Sequence, residues 1–184
     1  MTTQMRDQIQ GSLAALIGKP MWDSFRALDL QMFEFGERME TINRNGRPQA
    51  NGEFLLHVQC PWHLTGADGR VQVASGDRVI RGDGTGDFID EHDDARLPTR
   101  LEVRMRASLR DIAARQWIVR QIKATEAGGL TLMFDDGGAL TLFPDCSLEG
   151  QTFELWRFFS HDHRVPHFVV YSGGIDVGGG NDDL

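Results

Sequence analysis

The chain has 184 residues, 40% of them hydrophobic and 9% aromatic, with a net charge of −8. That supply of apolar residues suits one domain with a real core and no need of disulfide or metal staples. Two cysteines, Cys60 and Cys146, make no disulfide framework, and no apolar run is long enough to form a membrane-spanning helix.

The acidity is local. Six acids and no Lys or Arg fall between Asp83 and Asp94, and Asp182 and Asp183 lie near the C-terminus. Setting those eight aside leaves 19 acids against 19 bases. A neutral body without a basic cluster excludes a nucleic-acid partner and an anionic membrane surface. The N-terminus lacks the basic and long apolar regions of a signal peptide, so a reducing cytoplasm is the expected compartment.

In chain order, Met5, Ile9, Leu13, Leu16 and Ile17 recur at helical spacing and predict a helix over 3–17, ended by Gly18 and Pro20. "RALDLQMFEFG" alternates as a strand, and the polar stretch 37–53 predicts a loop or wide hairpin connection. Phe54 to Leu64 reads as one strand, "TGADGR" as a tight turn, and Val71 to Ala74 as a short returning strand. Residues 75–96 form an acidic, flexible insertion without the spacing of a calcium loop. Leu101, Met105, Leu109 and Ile112 place a helix over roughly 99–113. Five strands then follow as a meander: "QWIVRQIKAT", the two arms of "LTLMFDDGGALTLF", "TFELWRFFS" and "HFVVYSG". Residues 176–184 read as a disordered tail.

This order predicts a single α+β domain over 1–175. Its sheet is mostly antiparallel, strongly bent or a partial barrel, with about eight strands and two helices.

Three motifs bear on chemistry. "HVQCPWH" holds His57, Cys60 and His63 at three-residue spacing. Alternation along a strand places Cys60 and Trp62 on one face and His57, Gln59 and His63 on the other, so the trio does not converge on a metal. His57, Gln59 and His63 remain a candidate surface or cleft. "SHDHRVPH" holds His161, His163 and His167, the best candidate metal ligands in the chain, although the segment also reads as a solvated hairpin loop. Cys146 lacks an identifiable activating base, and no phosphate-binding loop or nucleophile elbow is present. Most of the aromatic residues lie on predicted strands and read as core.

"LLHVQCPWHLTG", "LTLFPD" and "ELWRFF…PHFVVYSGG" resemble blocks of a family of small uncharacterised bacterial proteins, over roughly residues 28–175. The resemblance implies a bacterial single-domain protein. It transfers no catalytic residue and no cofactor. The leading functional expectation is a non-enzymatic domain that binds a protein partner or a second copy of itself. The alternative is a small-ligand binder or enzyme with a cleft in the sheet, using a metal at His161, His163 and His167.

Overall fold

The computed structural model describes residues 5–27, 30–42, 46–79, 100–115, 117–146, 153–161 and 166–178. Most of the acidic insertion, residues 80–99, and the last six residues lie outside them, as does His163.

The N-terminal segment forms helix α1 (Met5–Ser12) and a 3-10 turn over Leu13–Leu16. Strands β1 (Pro20–Ala27), β2 (Leu30–Ile42), β3 (Pro48–Val58), β4 (Trp62–Thr65) and β5 (Val71–Ala74) follow, then a 3-10 turn over Ser75–Val79. Helix α2 (Arg100–Arg115) precedes β6 (Trp117–Ala124), β7 (Leu130–Phe134), β8 (Ala139–Leu142), β9 (Glu154–Ser160), β10 (Phe168–Tyr171) and β11 (Gly174–Val177). The fold is α+β with a large antiparallel sheet, as the sequence predicts.

The sheet has 11 strands in the order β11-β10-β9-β3-β2-β1-β6-β7-β8-β4-β5. It is open, not a barrel, and larger than the predicted eight strands. Three differences account for the count. β1 is an unpredicted strand, because a bulge between Met21 and Asp23 breaks its alternation. β11 pairs along β10 where a tail was expected over its last residues. The single strand predicted over 54–64 is two, because Gln59–Pro61 carries the chain out of one part of the sheet and into another. Nor is the C-terminal half a meander: β6, β7 and β8 are neighbours, but β9 pairs with β3.

The stretch 37–53, predicted as a loop or wide hairpin connection, joins the antiparallel pair β2 and β3 and is mostly strand. β2 and β3 continue together from Arg38↔Gly52 to Ile42↔Pro48. Their polar residues are satisfied within the ribbon, where Asn51 Nδ2 donates to Thr41 Oγ1 at 2.7 Å and Gln49 Nε2 to Asn51 Oδ1 at 2.8 Å.

The strand order forces the sheet to fold back on itself. β3 and β4 lie six places apart, which is about 29 Å in a flat sheet. The four Cα steps from Val58 to Trp62 reach at most about 14 Å. The two halves, β11 to β1 and β6 to β5, therefore face each other across the core. Phe33 on β2 meets Trp62 on β4 edge to face, with ring centroids 5.0 Å apart. Trp156 on β9 donates its indole N–H to the carbonyl of Gly128, in the β6–β7 turn, at 2.8 Å. Gly128 has φ +81°, and an added Cβ would stand 2.9 Å from Val170, so this close approach requires glycine.

The helices lie at different places on this folded sheet. α1 packs on β6, with Ile9 buried and Gln10 donating to the carbonyl of Ile122. α2 packs on β1, on β5 and on the 3-10 turn between β5 and itself. It thus bridges the two halves, held in part by Arg104 on Asp77 at 3.2 Å.

Candidate functional site

A cavity of about 460 Å³ opens where α2 spans the two halves. One wall comes from β1 and β2 through Arg26 and Gln31. The other comes from the end of β3 and the link to β4, through Val58, Gln59, Cys60, Pro61 and Trp62. Ser75, Gly76, Leu101, Asp145 and Phe153 complete it. A second cavity of about 250 Å³ runs between α2 and β1, lined by Phe25, Met105, Arg106 and Leu109 among others. Arg26, Gln31 and Leu101 line both, so the two adjoin at these residues. The volumes suit a small molecule.

Gln31 is the unusual residue of the site. It is 4% exposed. Its Nε2 donates to Ser24 Oγ at 2.7 Å and to the carbonyl of Phe25 at 3.2 Å. Ser24 Oγ gives its one proton to the carbonyl of Met32 at 2.7 Å. Toward Gln31 it can therefore act only as an acceptor, and the Phe25 carbonyl is an acceptor by nature. Both partners fix the amide with its NH₂ toward β1. The carbonyl oxygen Oε1 is then buried with no hydrogen-bond donor among the described residues. A buried unpaired acceptor of this kind costs about 1–3 kcal/mol.

The charges around it are mixed. Arg26 Nη2 lies 3.9 Å from Glu102 Oε1, at the limit of an ion pair. Cys60 is 3% exposed, and burial pushes its thiol up to about 12, with Asp145 adding to the effect. A thiol so held is a poor nucleophile at neutral pH.

Of the candidate residues from sequence, His57, Gln59 and His63 do not form one cluster. Cys60 and Trp62 face the core and His57 and His63 do not, as alternation predicts. The two histidines belong to different halves of the sheet. His63 packs on Phe143 with centroids 4.7 Å apart, and burial lowers its pKa. His57 stands edge-on to Phe159 at 4.8 Å, and Phe159 stacks on His167 at 4.3 Å. Burial lowers the His57 pKa to about 4, aided by the charges of Arg157 and His167. Of the three, Gln59 alone lines the larger cavity. His161 follows the end of β9, its backbone N–H on the carbonyl of Glu53. Among the described residues, no three His, Cys, Asp or Glu side chains converge on a metal position.

Two polar residues of consequence belong to none of the sequence motifs. Gln31 falls in a strand whose alternation draws attention to Met32 and Phe33 instead. Glu34 is 1% exposed and accepts the Gly52 N–H at 2.8 Å. Burial raises its pKa to about 7. The signal available in each case was a polar residue inside an apolar strand, which marks a satisfied or functional group.

The chain matches no protein-family model, and neither curated proteins nor solved structures include a significant match.

Proposed function

We propose that this protein binds a small molecule in the cavity between the two halves of its sheet, without performing chemistry on it. The observation that carries this reading is the cavity of about 460 Å³ itself, whose wall includes the buried polar residue Gln31. The adjacent apolar wall of Val58, Pro61, Trp62 and Phe153 supplies area for an apolar body. A non-catalytic role follows from the titratable groups on the wall: a thiol held protonated, and no acid–base pair among the described residues.

The test is a fragment screen by ligand-observed NMR on the wild type and on Gly76→Trp. Gly76 lines the larger cavity, and an added Cβ there meets nothing within 4 Å, so the backbone tolerates an indole at the cavity wall. Fragments that bind the wild type and lose binding in Gly76→Trp support the reading. No binding, or binding unaffected by the plug, rejects it.

Self-association is a second reading, favoured by the open sheet. Among the described residues, β5 and β11 each have one paired neighbour. Val71 and Val177 on them are 48% and 60% exposed, the arrangement that invites a further strand. Light scattering at tens of micromolar distinguishes it, since a strict monomer removes this reading.

A further inference from the structure

We infer that this chain associates with a second copy of itself by seating the far end of its β2–β3 ribbon in a groove on β6, β7 and β8 of that copy. The interface is separate from the open sheet edges, and it shares with that reading only the need for a second copy.

The ribbon end runs from Arg38↔Gly52 to Ile42↔Pro48. Its register sets Glu40 opposite Ala50 and Ile42 opposite Pro48, so all four residues share one face. All four are exposed, Ile42 at 76%. The other face holds the hydrogen bonds among Thr41, Asn51 and Gln49. A two-stranded ribbon by itself is marginally stable in water, so an apolar tip of this kind gains from being covered. Two charged residues lie on the exposed face. Arg38 is over the Trp22 ring, 4.5 Å from its centroid. Glu40 forms no ion pair with the described residues.

The groove is a third cavity, of about 320 Å³. Thr131 and Thr141 line it as cross-strand partners on β7 and β8. They alternate with buried leucines, so they stand on the face turned away from the core. Ala127 of the β6–β7 turn, with Phe143 and Pro144 beyond β8, adds apolar lining. Phe143 is 42% exposed. Lys123 is the one charged residue of the lining and the cross-strand partner of Thr131. It forms no ion pair with the described residues.

The two surfaces match in kind. The ribbon end offers apolar side chains beside an unpaired carboxylate, and the groove offers an apolar lining beside an unpaired ammonium. Within one chain they do not meet, since Ile42 and Phe143 are both exposed with the ribbon in place. A second copy supplies the missing half of each. The contact is small, so the association is weak and transient. A charge pair at its rim adds little affinity by itself, whereas reversing either charge replaces attraction by repulsion.

Sedimentation equilibrium on the full chain, up to about 500 micromolar to capture a small interface, tests this. The wild type should show concentration-dependent self-association, and Ile42→Asp should remove it. Lys123→Glu and Glu40→Lys should each weaken association at least about fivefold. The double variant Glu40→Lys/Lys123→Glu should return to within about twofold of wild type. All three positions are exposed, so the variants should keep the wild-type denaturation midpoint. The recovery in the double variant is a result that damage to the fold cannot produce. Association unchanged in the single variants, or a double variant no better than the singles, would overturn the pairing of ribbon and groove. Val71→Lys and Val177→Lys, on the exposed edges, separate the two interfaces. If they abolish association while the ribbon and groove variants leave it intact, edge pairing stands and this inference falls. A strict monomer over the whole range removes both.

Discussion

Glu34 and Asp23 are direct cross-strand partners on β2 and β1, and Glu34 is almost wholly buried. Like charges facing each other across a ladder destabilise it, and the fold avoids the conflict by holding Glu34 protonated near neutrality. Burial is the main cause of its raised pKa. The Gly52 N–H opposes the shift, Asp23 adds to it, and Arg38 lowers it.

This arrangement makes stability fall with rising pH. The Glu34 carboxyl moves from 4.5 to about 7 on folding, so between those values the folded chain holds a proton that the unfolded chain releases. Its contribution is complete below pH 4.5 and is lost as pH rises through about 7. A shift of that size corresponds to something on the order of 3 kcal/mol. Glu34→Gln keeps a carbonyl for the Gly52 N–H and removes the titration. Urea melts from pH 5 to 8 should show a flatter profile for this variant and greater stability than wild type at pH 8. Parallel profiles would count against a buried, protonated Glu34.

His57 carries the opposite sign. Its pKa drops from 6.5 to about 4 on folding, so the unfolded chain takes up the proton first as pH falls. Its contribution is present above pH 6.5 and is lost as pH falls through about 4. His57→Phe retains an aromatic ring against Phe159 and cannot be protonated. It should lose less stability than wild type between pH 6.5 and 4.5 and match the wild-type pH dependence above pH 7.

Both residues show what sequence makes legible and what it does not. The period of three to four in α1 and α2 and the period of two in β6 to β10 are local patterns, and each element was found where its pattern lies. The placement of His57 and Cys60 on opposite faces follows from the same alternation. The fold-back of the sheet does not, because it rests on β1 pairing with β6 and β4 with β8, partners roughly a hundred and roughly eighty residues apart in the chain. The cavity is a product of that fold-back, so its residues come from β1, β2, the β3–β4 link and α2, with no common motif. A polar ribbon such as 37–53 also defeats an apolar-pattern reading, since its far end stands clear of the core, with Ile42 76% exposed.

The contact between the halves can be measured at one bond. Trp156→Phe keeps most of the buried ring and deletes the donor to the Gly128 carbonyl. The expected cost is about 1–3 kcal/mol in denaturant unfolding, because that carbonyl loses its indole partner at a buried glycine. A loss under about 0.5 kcal/mol would mean that solvent reaches the carbonyl, contrary to the close packing of Val170 on Gly128.

The thiols provide a probe of the wall shared by core and cavity. Cys60 is buried with its pKa pushed up to about 12, whereas Cys146 is half-buried. The thiolate is the reactive species, so at pH 8 a disulfide reagent such as dithiobisnitrobenzoate should modify Cys146 and leave Cys60 untouched on the same timescale. Cys146→Ser should abolish the early phase, and Cys60→Ser should abolish the phase released by denaturant. Cys60 lines the larger cavity as well as the core, so an uncharged probe small enough to enter meets a thiol and not a thiolate. Slow labelling of Cys60 that does not accelerate from pH 7 to 8 would show a route other than thiolate attack. Labelling of Cys60 at a rate close to that of Cys146 would place the thiol in water and contradict the cavity wall described here.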